Sequence, residues 1–206
     1  MNTLTHEIVD GIAYTCINNV HGLLNELDCF VLISNGAFLP ENSVYVETGS
    51  YLGCSGILQG LIAKKGTLVY CHDLWLDDMK DLPEGSGPPE YTTDLFNKMN
   101  NNIINNKLEN TVIPIRGDSK TTLDMHKDET VDLAFIDGDH SYEGVKADLS
   151  IINKKIKPNG TIICHDILSS PVYVAIHEFV ENNDVEVKYY ANICTIKKRS
   201  QVDSNH

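Results

Sequence analysis

Apolar residues recur in the first part of the chain at Ala13, Ile17, Val20, Leu23, Leu24, Leu27, Phe30 and Val31. Spacings of three and four put them on one helix face, and the pattern predicts a helix over about 12–36, ended by Asn35-Gly36. The rhythm then changes. Short β-branched runs read as strands in "SVYVETG" (43–49), "TLVYCHD" (67–73), "TVIPI" (111–115), "VDLAFID" (131–137) and "TIICHD" (161–166). Between them, helical patterns occupy 55–66, 94–106, 118–127 and 141–156. A last helix opens at Pro171, where a fixed φ suits the first turn. "VEVKYY" and "ICTIK" follow, two residues apart, as an antiparallel hairpin.

Strands alternating with helices imply βαβ units and a parallel sheet covered on both faces. The expected fold is α/β: a Rossmann-like, doubly wound, mostly parallel sheet of about seven strands with a C-terminal antiparallel hairpin. The whole chain, 1–206, reads as one domain. Residues 74–90, with three prolines and two glycines, are too long for an ordinary connection and read as a lid. The polar end, about 199–206, reads as a fraying tail.

A net charge of −13 with only 16 basic residues argues against gripping nucleic acid or an anionic membrane, which needs clustered Lys and Arg. Small molecules are the easier partners. The start "MNTLTHEIVDG" has neither the basic nor the apolar region of a signal peptide, and no apolar run is long enough to cross a bilayer. Six cysteines without CxxC spacing imply buried thiols in a reducing cytoplasm, with no disulfides and no zinc knuckle. The apolar N-terminal helix could pair with a second subunit.

In doubly wound sheets, ligands bind outside the carboxyl ends of the strands. Those ends carry Glu47 and Gly49; His72 and Asp73; Asp118 and Ser119; Asp137, Asp139 and His140; and His165 and Asp166. One such acid could be a helix cap, as Asp118 could be; a complete row points to a site. The first loop, "ETGSYLGCSG", spaces its glycines as GxxxGxxG, not the GxGxxG of a dinucleotide site. Tyr51 would crowd a pyrophosphate, yet it can pack beside a cofactor without one. Glu47 could accept a hydrogen bond from an ammonium group. S-adenosylmethionine carries an ammonium, a sulfonium and an adenosine with no phosphate. Asp73 is placed for ribose hydroxyls in either kind of site.

"VYVETGSYLGCSG", "VYCHDLW", "IRGDS", "VDLAFIDGDHSYEGVKADL" and "KPNGTIICHD" together resemble a class I S-adenosylmethionine-dependent methyltransferase. More closely, they resemble the small-molecule O-methyltransferases related to macrolide-sugar enzymes and, more distantly, catechol O-methyltransferase. The resemblance runs over about 40–170. It implies that Glu47, Gly49, Ser50, Tyr51, Gly53 and Ser55 hold the methionine part of the cofactor. Asp73 would take the ribose, Asp118 and Ser119 would lie by the adenine, and Asp137 would border the cofactor. Asp137, His165 and Asp166 fall on metal-ligand positions, and His140 falls on that of a general base, with Asp139 as the other candidate. The expected reaction is methyl transfer to a hydroxyl of a small acceptor, a sugar or natural product, aided by a divalent metal such as Mg or Mn. Magnesium prefers oxygen ligands, so an imidazole at 165 would favour manganese, iron or zinc. Alternatively His165 points away, or no metal binds and Asp166 orients His140. The competing readings are a nicotinamide-dependent oxidoreductase, a metal-dependent hydrolase or hydroxylase on the same sheet, and a non-catalytic binding protein.

Overall fold

The computed structural model describes residues 4–9, 12–76 and 94–199. The helix expected over 12–36 is a helix only in its second half. Strands β1 (Leu4–Val9), β2 (Ile12–Ile17) and β3 (Val20–Gly22) form a small antiparallel sheet instead. Asn18 and Asn19 both have positive φ, 48° and 67°, which is the backbone of a tight hairpin turn. The chain therefore folds back, pairing Ile17 with Val20. Helix α1 (Glu26–Gly36) starts only at Asn25, whose side chain accepts hydrogen bonds from the Leu27 and Asp28 amides. Asp28 closes the capping box by accepting from the Asn25 amide at 2.9 Å. The helical spacing misled because Ile17, Val20 and Leu24 bury against the same core that α1 packs on.

The main sheet has seven strands: β4 (Val44–Thr48), β5 (Leu68–Asp73), β6 (Val112–Arg116), β7 (Val131–Ile136), β8 (Ile156–His165), β9 (Val185–Tyr190) and β10 (Ile193–Lys198). Their order is β6-β5-β4-β7-β8-β10-β9. Strands β4 to β8 are parallel, and β10 lies antiparallel between β8 and β9. The helices are α2 (Cys54–Ile62), α3 (Leu95–Asn105), the short α4 (Ser119–Thr122), α5 (Tyr142–Lys155) and α6 (Ser170–Asn182). Alternation along β4 sends Tyr45 to one face and Val46 to the other. Tyr45 joins a core with Leu32, Ile57 and Met99 of α1, α2 and α3. Val46 joins a second core with Leu149 and Ile152 of α5 and Ile176 of α6. This is the doubly wound arrangement expected. The strand order reverses between β4 and β7, which opens a crevice at their carboxyl ends.

Residues 77–90 of the expected lid and the tail beyond Arg199 lie outside the described residues. Trp75, at the start of that stretch, is buried, with 5.1 Å between its ring centre and that of Phe96. The described cysteines, at 29, 54, 71, 164 and 194, are buried thiols.

Candidate functional site

A cavity of about 870 Å³ lies over the crevice. Its floor is the loop after β4. Gly49 has φ +81°, and its amide donates to the His72 carbonyl at 2.9 Å. On the other side, the Asp137 amide donates to the Thr48 carbonyl at 3.0 Å, so the ends of β5, β4 and β7 are tied in a row. Gly53, at φ +86°, starts α2 where a side chain would strike Met99.

Glu47 does not reach the cavity. It is wholly buried behind the loop, where the Tyr45 hydroxyl donates to its Oε2 at 2.9 Å. Burial pushes its pKa up, opposed by the hydroxyls of Ser50, Ser55 and Tyr45. Even so, Glu47 Oε1, Ser50 Oγ and Thr48 Oγ1 are buried without a proper hydrogen bond among the described residues. Thr48, Ser50 and Ser55 line the cavity. The ammonium contact expected of Glu47 therefore has no direct path, because Thr48, Ser50 and Ser55 stand between it and the cavity.

Asp73 ends β5 and lines the cavity beside Tyr51. Its Oδ2 accepts from the Tyr51 amide at 2.8 Å and its Oδ1 from the Trp75 amide at 2.9 Å. The Trp75 indole in turn donates to the Tyr51 carbonyl at 2.6 Å. Each carboxylate oxygen keeps a second lone pair for a hydroxyl. Tyr51 (φ 49°), Trp75 (φ 38°) and Asp166 (φ 55°) all hold the left-handed backbone that non-glycine residues avoid, and all three line the cavity. Such strain gathers at functional sites. Asp118 is the cap of α4, accepting from the Lys120 amide at 2.9 Å, and still faces the cavity. Ser119 donates to buried Asp148 at 2.7 Å, a partner the sequence did not reveal.

Two histidines and two aspartates meet across the ends of β7 and β8. His140 Nε2 lies 3.2 Å from Asp166 Oδ2 and 3.6 Å from Asp137 Oδ1. Hydrogen bonding to Asp137 raises the His140 pKa against its burial, and Asp166 adds to the effect. Asp139 is exposed, and its Oδ1 accepts from the Ser141 amide at 2.9 Å, a bond that lowers its pKa. His165 Nδ1 is 3.1 Å from Asp137 Oδ1 and 3.5 Å from Asp166 Oδ2, while Nε2 is 3.0 Å from Asp28 Oδ2. Carboxylates only accept, so both ring nitrogens carry protons. Burial opposes that charge, but the hydrogen bonds to Asp137, Asp166 and Asp28 outweigh it and push the pKa up to about 12. Asp166 is held down to about 2 by His165, against burial, and by Asn192, whose Nδ2 donates to its Oδ1 at 2.8 Å.

This geometry changes the ligand set expected for a metal. His165 has neither nitrogen open. Asp137, His140 and Asp166 each offer an atom within 4.8 Å of the others, and they are the group that could hold a cation. Two carboxylate oxygens with one imidazole suit manganese, iron or zinc better than magnesium, which prefers oxygen ligands. The sequence missed Asp28 and Asn192. The spacing Asn25-x-x-Asp28 was a helix-start signal, but its link to His165 is tertiary.

His72 turns away from the cation group. Its Nδ1 meets Thr122 Oγ1 and its Nε2 meets His126 Nε2, each at 2.9 Å. Burial, then His126, pushes the His72 pKa down to about 3; burial and Lys155 lower that of His126. The unfolded chain binds more protons than the native one below the ordinary imidazole pKa of about 6.5. The His72 contribution to stability is therefore complete above pH 6.5 and is lost as pH falls from 6.5 towards 3, with a slope of about 1.4 kcal/mol per pH unit. Urea midpoints in this window should drop steeply for the native sequence and less steeply for His72→Gln. Equal slopes would mean that His72 is not the group titrating.

The fold and site together define a Rossmann-like α/β protein with a cavity at the switch point of its sheet. Residues 46–167, more than half of the chain, match the family described as the methyltransferase domain, and the chain belongs to that family. No curated protein matches it in sequence. Solved structures match in fold. The O-methyltransferase NovP aligns with a TM-score of 0.67 at 18% identity, over 84% of this chain and 79% of that one. An O-methyltransferase from Bacillus cereus, solved with S-adenosylhomocysteine (SAH), gives 0.60 at 17% identity over 85% and 82%. A precorrin 8w decarboxylase from Methanobacterium thermoautotrophicum gives 0.61 at 19% identity over 87% and 92%. At such identities the likeness speaks for the fold, and chemistry must be argued from the site.

Proposed function

We propose that this protein transfers the methyl group of S-adenosylmethionine to a hydroxyl of a small molecule such as a sugar or natural product. The observation that carries the reading is the pairing of two half-sites in one cavity. One half holds the loop residues Thr48, Ser50 and Ser55 beside Asp73; the other holds Asp137, His140 and Asp166. The first half fits a ligand with an amino acid end and a ribose, and Tyr51 in its glycine loop would crowd a pyrophosphate.

When bound, the donor supplies an electrophilic methyl on a sulfonium, and a divalent cation supplies Lewis acidity to the acceptor oxygen. Asp137 and Asp166 would hold that cation. Thr48, Ser50 and Ser55 would hold the methionine end, Asp73 the ribose hydroxyls, and Asp118 and Ser119 would border the adenine. His140 Nε2 would take the hydroxyl proton as the new O–C bond forms and the S–C bond breaks. Asp139 is the second candidate for that proton. The acidic chain, with 16 basic residues, favours a small acceptor over nucleic acid. One domain acting in the cytoplasm completes the reading, consistent with buried thiols that need no oxidising compartment.

The test is a thermal shift with SAH, with NAD and with neither, each with and without Mg²⁺ or Mn²⁺. SAH at 100 times its Kd should add about 2.7 kcal/mol of stability. Turnover should then vanish in EDTA and return with a divalent ion. A shift with NAD and none with SAH would overturn the donor assignment. Full turnover in EDTA would overturn the metal.

A further inference from the structure

Asp28 stands outside the strand-end row, on the first turn of α1, yet it lines the cavity. Its Oδ2 accepts twice, from the Asn25 amide at 2.9 Å and from His165 Nε2 at 3.0 Å. The capping box accounts for the bond from the Asn25 amide, but it requires neither the contact with His165 nor a place in the cavity wall. Asp28 is 1% exposed, with Oδ1 unpartnered among the described residues. A buried carboxylate is costly unless a cation faces it. The cation facing it is the His165 ring.

We propose that Asp28 is a positioning residue for the transfer site: by holding His165 Nε2, it fixes the ring so that Nδ1 meets Asp137 and Asp166 together. The other described restraints on the ring are its own contacts with Asp137 and Asp166 and an edge contact with Phe135, at 6.1 Å between ring centres. Without Asp28 the ring can turn about its Cβ–Cγ bond, and Nδ1 then leaves both carboxylates. Those are the carboxylates that face His140. Asp28 thus orders the cation group without touching it. The β3–α1 segment, which also brings Leu24 and Asn25 to the cavity wall, becomes part of the working site. This inference rests on the functional reading above only for the use of the ordered carboxylates; the clamp itself is a statement about His165.

The test compares the native chain, Asp28→Ala, Asp28→Asn and Asn25→Ala. Asn25→Ala removes the cap but keeps Asp28 against His165, so it controls for a merely structural effect. Two-dimensional ¹H–¹⁵N spectra of the histidine rings, assigned with His165→Gln, should show a slowly exchanging Nε2–H on His165. The signal should disappear in Asp28→Ala, survive in Asn25→Ala and partly return in Asp28→Asn, whose amide oxygen can still accept. Mn²⁺ affinity, read by electron paramagnetic resonance, should fall about 10- to 100-fold in Asp28→Ala, as is usual when a group that orients ligands is lost. An unchanged His165 signal in Asp28→Ala, or its equal loss in Asn25→Ala, would overturn the proposal. The spectra decide the clamp whether or not the native chain binds Mn²⁺; failure to bind would count against the functional reading alone.

Discussion

Gly49→Ala is expected to abolish the thermal shift given by SAH and to lower stability by about 2–5 kcal/mol. The figure joins a left-handed backbone penalty of about 1–2 kcal/mol to overpacking of about 1–3 kcal/mol. At φ +81° the new methyl would press into the Asp137 carbonyl and lie 2.7 Å from the Gly138 Cα. Neither is the end of a flexible side chain, so backbone must move. The Gly49 amide bonds to β5 and the Asp137 amide to β4, so the shift would spread to both halves of the cavity. Urea unfolding with and without SAH checks both effects. A Gly49→Ala protein that keeps its full SAH shift would place the donor elsewhere.

His140→Ala is expected to reduce the transfer rate by roughly 10²- to 10⁴-fold, the usual contribution of a positioned base. SAH affinity should stay unchanged, because His140 belongs to the acceptor half of the cavity. A base must be unprotonated to act, and Asp137 and Asp166 raise the His140 pKa. In the metal-free protein the His140 ring should therefore titrate above the ordinary imidazole value of about 6.5, and a cation held by Asp137 and Asp166 should bring it down. Single-turnover rates check the first statement and an NMR titration of the ring the second. A variant with near-normal turnover would move the base to Asp139.

The main sheet was legible because its central strands, such as β4 and β7, are buried on both faces and read as apolar runs. The strand-end acids were legible for a related reason: parallel topology alone brings those ends to one rim. The N-terminal segment was not. Its apolar spacing serves a hairpin and a helix against one core, and only Asn18-Asn19 and Asn25 mark the breaks. Within the site, residue types were readable but their partners were not. Glu47 looks like a ligand in sequence because it interrupts an apolar strand, yet it supports the loop from behind. His165 looks like a metal ligand until both ring nitrogens are seen to be engaged, one of them by a residue 137 positions away. Asn192 orients Asp166 from a hairpin turn, where an asparagine needs no further explanation.

Trp75 is the chain's sole tryptophan. Its indole nitrogen is tied to the backbone of Tyr51, in the middle of the glycine loop, and Trp75 lines the cavity. The protein therefore carries one fluorophore that can be excited apart from its nine tyrosines, anchored to the segment that would close around the methyl donor. Events in that loop can be followed by emission at a single known position, without a label and before any acceptor has been found.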